Sequence, residues 1–101
     1  MNETRLNRDA VLRELRNHLS LFGKLYGVTK IGVFGSAARD ELRQNSDIDV
    51  VVEMREPDLF YLVHIKETLE KDFQRPVDII RYRNKMNRYL KARIDREAHY
   101  A

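Results

Sequence analysis

Thr29-Lys30-Ile31-Gly32-Val33-Phe34-Gly35-Ser36, followed after ten residues by Asp47-Ile48-Asp49-Val50-Val51-Val52, sets the architecture of this 101-residue chain. Ile31 and Val33 fall on one face of a strand that stops at Gly35-Ser36, and a short helix over about residues 37–42 is expected to follow. Gln44-Asn45-Ser46 is a polar boundary, and the β-branched run after it is a second strand. A strand, a turn into a helix and a second strand within so short a span point to a small α/β domain.

The flanks supply the remaining elements. Val11, Leu12, Leu15, Leu19 and Phe22 recur at helical spacing behind a cap at Asn7, and Gly23 offers a stop. Glu56-Pro57-Asp58 opens an amphipathic helix that turns Leu62, Ile65, Leu69 and Phe73 inward. Pro76-Val77-Asp78-Ile79-Ile80 reads as a third strand. A last helix carries Met86, Leu90 and Ile94 on one stripe and ends near His99-Tyr100-Ala101. Helices alternating with strands imply an α/β sandwich around a small sheet. With no repeat or linker, residues 1–101 are read as one domain.

Composition narrows the function classes. Charged residues at 35% and hydrophobic ones at 43% exclude a disordered chain, and no run approaches the roughly 18 apolar residues of a membrane span. Met1-Asn2-Glu3-Thr4-Arg5 has no apolar core or cleavage site of a secretory signal, so the expected compartment is the cytoplasm. The absence of cysteine excludes disulfides and thiolate chemistry. The net charge of +3 gathers at Arg81, Arg83, Lys85, Arg88, Lys91 and Arg93, read as a solvated helix face with its preamble; an acidic or nucleic-acid contact is the alternative. His18, His64 and His99 lack paired metal-ligand spacing and read as ordinary histidines. Tyr89 and Tyr100 are expected to pack.

The chemistry concentrates at Asp47 and Asp49. A spacing of two on a strand sends both carboxylates to one face, where they repel unless one is protonated or a cation compensates; a structural pair of the kind common on exposed strand ends and loops is the alternative. Oxygen-only ligands suit magnesium, which keeps several waters and completes its shell with substrate phosphates. Gly35 and Ser36 stand where amides at a helix start and a hydroxyl can meet an anion; an ordinary capped turn is the alternative. Arg39 can donate bidentately to a triphosphate or pair with Glu41 or Asp40.

Phe34-Gly35-Ser36 spaced ten residues from Asp47-Ile48-Asp49 resembles the signature of the DNA polymerase β-like nucleotidyltransferase superfamily. Gly35-Ser36-Ala37-Ala38-Arg39, Glu41 and Ser46-Asp47 resemble its minimal nucleotidyltransferase branch, and Lys91-Ala92-Arg93-Ile94-Asp95-Arg96-Glu97-Ala98 looks like that branch's closing helix. Asp40 departs from the branch, which often has glycine there. Val77-Asp78-Ile79-Ile80 looks like the family's third acidic strand.

The resemblance implies that Gly35 and Ser36 hold the triphosphate of ATP and that Asp47 and Asp49 hold two magnesium ions. Asp78 would join one of them beside the incoming hydroxyl. It further implies an antitoxin that transfers AMP to a tyrosine of a helical HEPN-domain ribonuclease toxin. Neutralisation by docking alone, and nucleotidyl transfer to RNA or a small molecule, are the rival readings.

Overall fold

The computed structural model describes residues 6–101; the expected absence of a leader at Met1–Arg5 lies outside them. Helix α1 spans Arg8–Tyr26, strand β1 Val28–Phe34, helix α2 Gly35–Ala38 and strand β2 Ile48–Met54. Helix α3 spans Leu59–Phe73, strand β3 Val77–Arg81, helix α4 Arg88–Glu97 and strand β4 His99–Tyr100. The strands form one sheet in the order β3-β2-β1-β4. β1 pairs antiparallel with β2 and β4, while β2 pairs parallel with β3, so the sheet is mixed. This is the small mixed sheet flanked by helices that the polymerase β-like nucleotidyltransferase fold requires.

Alternation along the strands divides the core. Ile31, Val33, Ile48, Val50, Val52 and Val77 point to the face covered by α1 and α3, where they meet Val11, Leu15, Phe22, Ile65, Leu69 and Phe73. Phe34, Val51 and the partly buried Ile80 point to the other face and meet Ile94 and Leu90 of α4. No polar or charged side chain among the described residues is fully buried. No helix among them is long and apolar enough to cross a membrane.

Element ends differ from the sequence expectation in instructive ways. Asn7 caps α1 through a side-chain oxygen that accepts from the Ala10 amide at 2.8 Å. The helix runs past Gly23 and stops at Gly27, whose φ of 72° is the left-handed conformation of a helix C-cap. Asp58, third of the expected opening residues, caps α3 by accepting from the amides of Phe60 and Tyr61.

The short helix lies earlier than residues 37–42, at Gly35–Ala38, and the chain leaves it through Asp40 at φ 61°. That left-handed conformation is the one glycine adopts most readily. Here the Asp40 carboxylate accepts from the Arg8 amide at 2.8 Å, tying the departure to the start of α1. The last helix ends at Glu97, and His99–Tyr100 form a fourth strand where helix was expected. Tyr100 packs as expected, whereas Tyr89 is 76% exposed because it projects from the first turn of α4 away from the sheet.

Candidate active site

Register across three strands gathers the site. Phe34 pairs with Asp49, and Asp49 pairs with Asp78, so the Gly35 turn, Asp49 and Asp78 lie in one row across β1, β2 and β3. Asp49 shares its sheet face with Val51, and Asp78 shares its face with Ile80, so both carboxylates face the α4 side. Asp47 stands just before β2, exposed at its mouth.

Gly35 is buried with φ 70°, and a Cβ on it would lie 2.3 Å from Asp49 Oδ2. Only glycine allows the turn to lie against that carboxylate. Ser36 is half-buried inside α2 and does not act as its cap; the residue at the N-cap is Phe34, which makes no side-chain capping bond.

The electrostatics record the crowding. Burial raises the pKa of the half-buried Asp49 carboxyl; Asp78 raises it further, Arg93 opposes the rise, Asp47 adds to it and Arg39 opposes it. Asp78 and Asp47 thus both act by charge on Asp49, and carboxylate oxygens are donors that suit a hard divalent cation such as magnesium, although the ligand atoms of the three carboxylates do not all lie within 4.8 Å of one another.

Glu97 brings the basic groups together. Its Oε1 accepts from the Gly35 amide at 3.2 Å, from Arg39 Nη1 at 3.1 Å and from Arg93 Nε at 3.4 Å. Arg39 Nε also donates to Glu41 at 3.0 Å, so the pairing with Glu41 exists, with Glu97 in place of Asp40 as the second partner. Arg93 and Glu97 were not singled out as site residues, and Arg93 does not belong to the solvated basic face to which its sequence position assigned it. The signal available was their i, i+4 spacing on a helix that must close over the carboxylate face.

The far end of β3 borders a hollow of about 520 Å³, lined by Leu59, Leu62, Ile80, Arg81, Arg83 and Met86 among others and by none of the carboxylates of the row. Elsewhere, Glu14, His18 and Asp72 bring ligand atoms within 4.8 Å of one another on α1 and α3. His18 therefore has two acidic partners: Glu14, one turn back on α1, and Asp72, which sequence spacing did not reveal because it lies 54 positions away. This group stands on the helices covering the opposite face and is separate from the row of Asp49 and Asp78.

The family model described as nucleotidyltransferase domain matches residues 12–100. A Methanocaldococcus jannaschii protein assigned as a protein adenylyltransferase is 42% identical over 74 residues, covering 72% of this chain and 78% of the relative. A solved minimal nucleotidyltransferase superposes with a TM-score of 0.75 at 30% identity, covering 96% of this chain and 98% of the other. The fold also matches, with a TM-score of 0.68 at 15% identity over 92% of this chain and 70% of the other, a structure of an MNT antitoxin in complex with a tri-AMPylated HEPN toxin of Shewanella oneidensis.

Proposed function

From the premise that this chain belongs to the nucleotidyltransferase domain family, as a minimal member related to the protein adenylyltransferases, we propose that it is an antitoxin that transfers AMP from ATP to a tyrosine of a HEPN-domain toxin. The observation that carries the reading is the row formed by the Gly35 turn, Asp49 and Asp78 on adjacent strands. It supports the reading because a turn able to take a phosphate and two carboxylates would stand side by side at the spacing of neighbouring strands, about 5 Å apart.

In this reading Gly35 and Ser36 orient the triphosphate, and Arg39 draws its charge to the turn. Asp47, Asp49 and Asp78 are the residues that would hold magnesium. Bound there, magnesium would neutralise charge on the phosphates and lower the pKa of the attacking hydroxyl. Asp78 lies on the outer strand, nearest an incoming acceptor, and accepts the tyrosine proton. The tyrosine oxygen bonds to the α-phosphorus as the bond to the pyrophosphate oxygen breaks. Residues 1–101 act as one catalytic domain in the cytoplasm, and the partner presents the hydroxyl.

The test is direct. Purified chain incubated with a co-encoded helical partner, ATP and magnesium should add AMP-sized increments to the partner's intact mass, located on tyrosine by fragmentation. Chelation of the magnesium should abolish both the increments and calorimetric binding of ATP. An unmodified partner under conditions where the two proteins form a complex would overturn the assignment.

A further inference from the structure

Glu97 occupies the place where the proposed function needs an anion. One oxygen of this side chain collects the Gly35 amide from the β1–α2 turn, Arg39 from just beyond α2 and Arg93 from α4. These donors come from segments 58 to 62 positions apart from Glu97 or, for Arg93, from one turn back along its own helix. The arrangement exceeds what a surface ion pair needs, because a single carboxylate oxygen seldom gathers an amide and two guanidinium groups.

Arg93 also approaches the turn from a second direction. Its Nη2 lies 3.1 Å from where a Gly35 Cβ would be, and its guanidinium sits 5.4 Å from the centre of the Phe34 ring. The Phe34 face and the Glu97 bond hold that fork against the turn and against Asp49, whose charge it partly offsets.

We propose that Arg93 is a triphosphate-binding residue acting with Arg39, and that the Glu97 carboxylate is an internal place-holder that keeps both guanidiniums and the Gly35 amide gathered until the nucleotide displaces it. The proposal rests on the reading that the Gly35 turn takes the triphosphate of ATP. Guanidinium forks match phosphate oxygens at least as well as a carboxylate, and a triphosphate brings more charge than Glu97. Two arginines drawn to one point repel each other, and before a nucleotide binds Glu97 is the one anion that both of them contact directly, with Glu41 beside Arg39 and Asp49 near Arg93 adding to it. Glu97 can leave: it is the last residue of α4, and its other oxygen already lies 4.0 Å from the exposed Arg96.

A place-holder and a structural tie give opposite signs on mutation. Calorimetry of Mg-ATP on the full chain should show Glu97→Gln binding more tightly than wild type, by about threefold to tenfold, because the competitor has lost its charge. Arg93→Met should bind more weakly by about tenfold or more, as a charge-assisted phosphate contact is removed. Weaker or unchanged binding by Glu97→Gln, or unchanged binding by Arg93→Met, overturns the inference while leaving the functional reading in place. Should Glu97→Gln fail to fold, Glu97 is a structural tie and the place-holder role is lost, with Arg93→Met still deciding the nucleotide contact. Wild-type chain that does not bind Mg-ATP at all would remove the functional reading, and this inference with it.

Discussion

At Asp49 a structural demand and a chemical one collide. The side chain must lie against Gly35 and beside Asp78, and the strand that holds it there withdraws it from water, so its carboxyl is pushed above the ordinary value first by burial and then by Asp78. Between the ordinary and the raised value, the native chain binds more protons at this site than the unfolded chain. Stability therefore falls as pH climbs through that interval, and the ionised site remains a burden above it. Asp49→Asn should accordingly melt at a higher temperature than wild type at neutral pH in chelator. The advantage should shrink on acidification and vanish below the ordinary carboxylate range, where both chains are neutral at residue 49. Thermal melts across that range decide the matter: an advantage independent of pH, or a variant that melts lower throughout, would mean that charge is not what strains the site. That the Gly35 turn, Asp49 and Asp78 lie together was open to a reading of the sequence, because each stands at or near a strand end with a local pattern around it. Glu97 was not, because its meaning comes from an amide 62 positions away.

Elements were legible where periodicity is long and less so where structure depends on a distant partner. The apolar stripes of α1 and α3 foretold their buried faces. The stop at Gly23 failed because a glycine inside a well-packed helix costs only about 1 kcal/mol, which Phe22 and the next turn offset. Strand β4 carries two residues and no period of its own; it exists because β1 offers it a free side at Gly32 and Val33. Gly32 is what admits it, since a Cβ there would lie 2.4 Å from the His99 carbonyl oxygen and 3.0 Å from Tyr100 Cα. Backbone atoms cannot rotate aside, so β4 must move if residue 32 gains a side chain. Gly32→Ala should cost about 1–3 kcal/mol of stability in urea unfolding. It should also weaken Mg-ATP binding, because β4 anchors the end of the helix that carries Arg93 and Glu97. Stability within about 0.5 kcal/mol of wild type would show that β4 is not held against β1 as described.

Across the whole molecule, the sheet order gives the site two approaches. The Gly35 turn closes one end of the row at β1, while β3 is the outer strand of the sheet among the described residues and its Asp78 is exposed; in the proposed function that is the side from which the acceptor arrives. This geometry separates catalysis from docking at one residue. Asp78→Asn removes a negative charge and a proton acceptor from the acceptor side, yet it is isosteric and leaves Gly35, Ser36 and Asp49 unchanged. The variant should still bind Mg-ATP and still form a complex with the partner. Transfer should slow by about a hundredfold or more, as expected when a positioned base and a metal-binding oxygen are lost together. In cells the partner should then remain unmodified and toxic despite being bound. A chain that neutralises by docking alone predicts the reverse, because an isosteric change in the cleft leaves the contact surface as it was. Growth rescue by Asp78→Asn at wild-type expression, with no AMP-sized mass on the partner, would falsify adenylylation as the means of neutralisation.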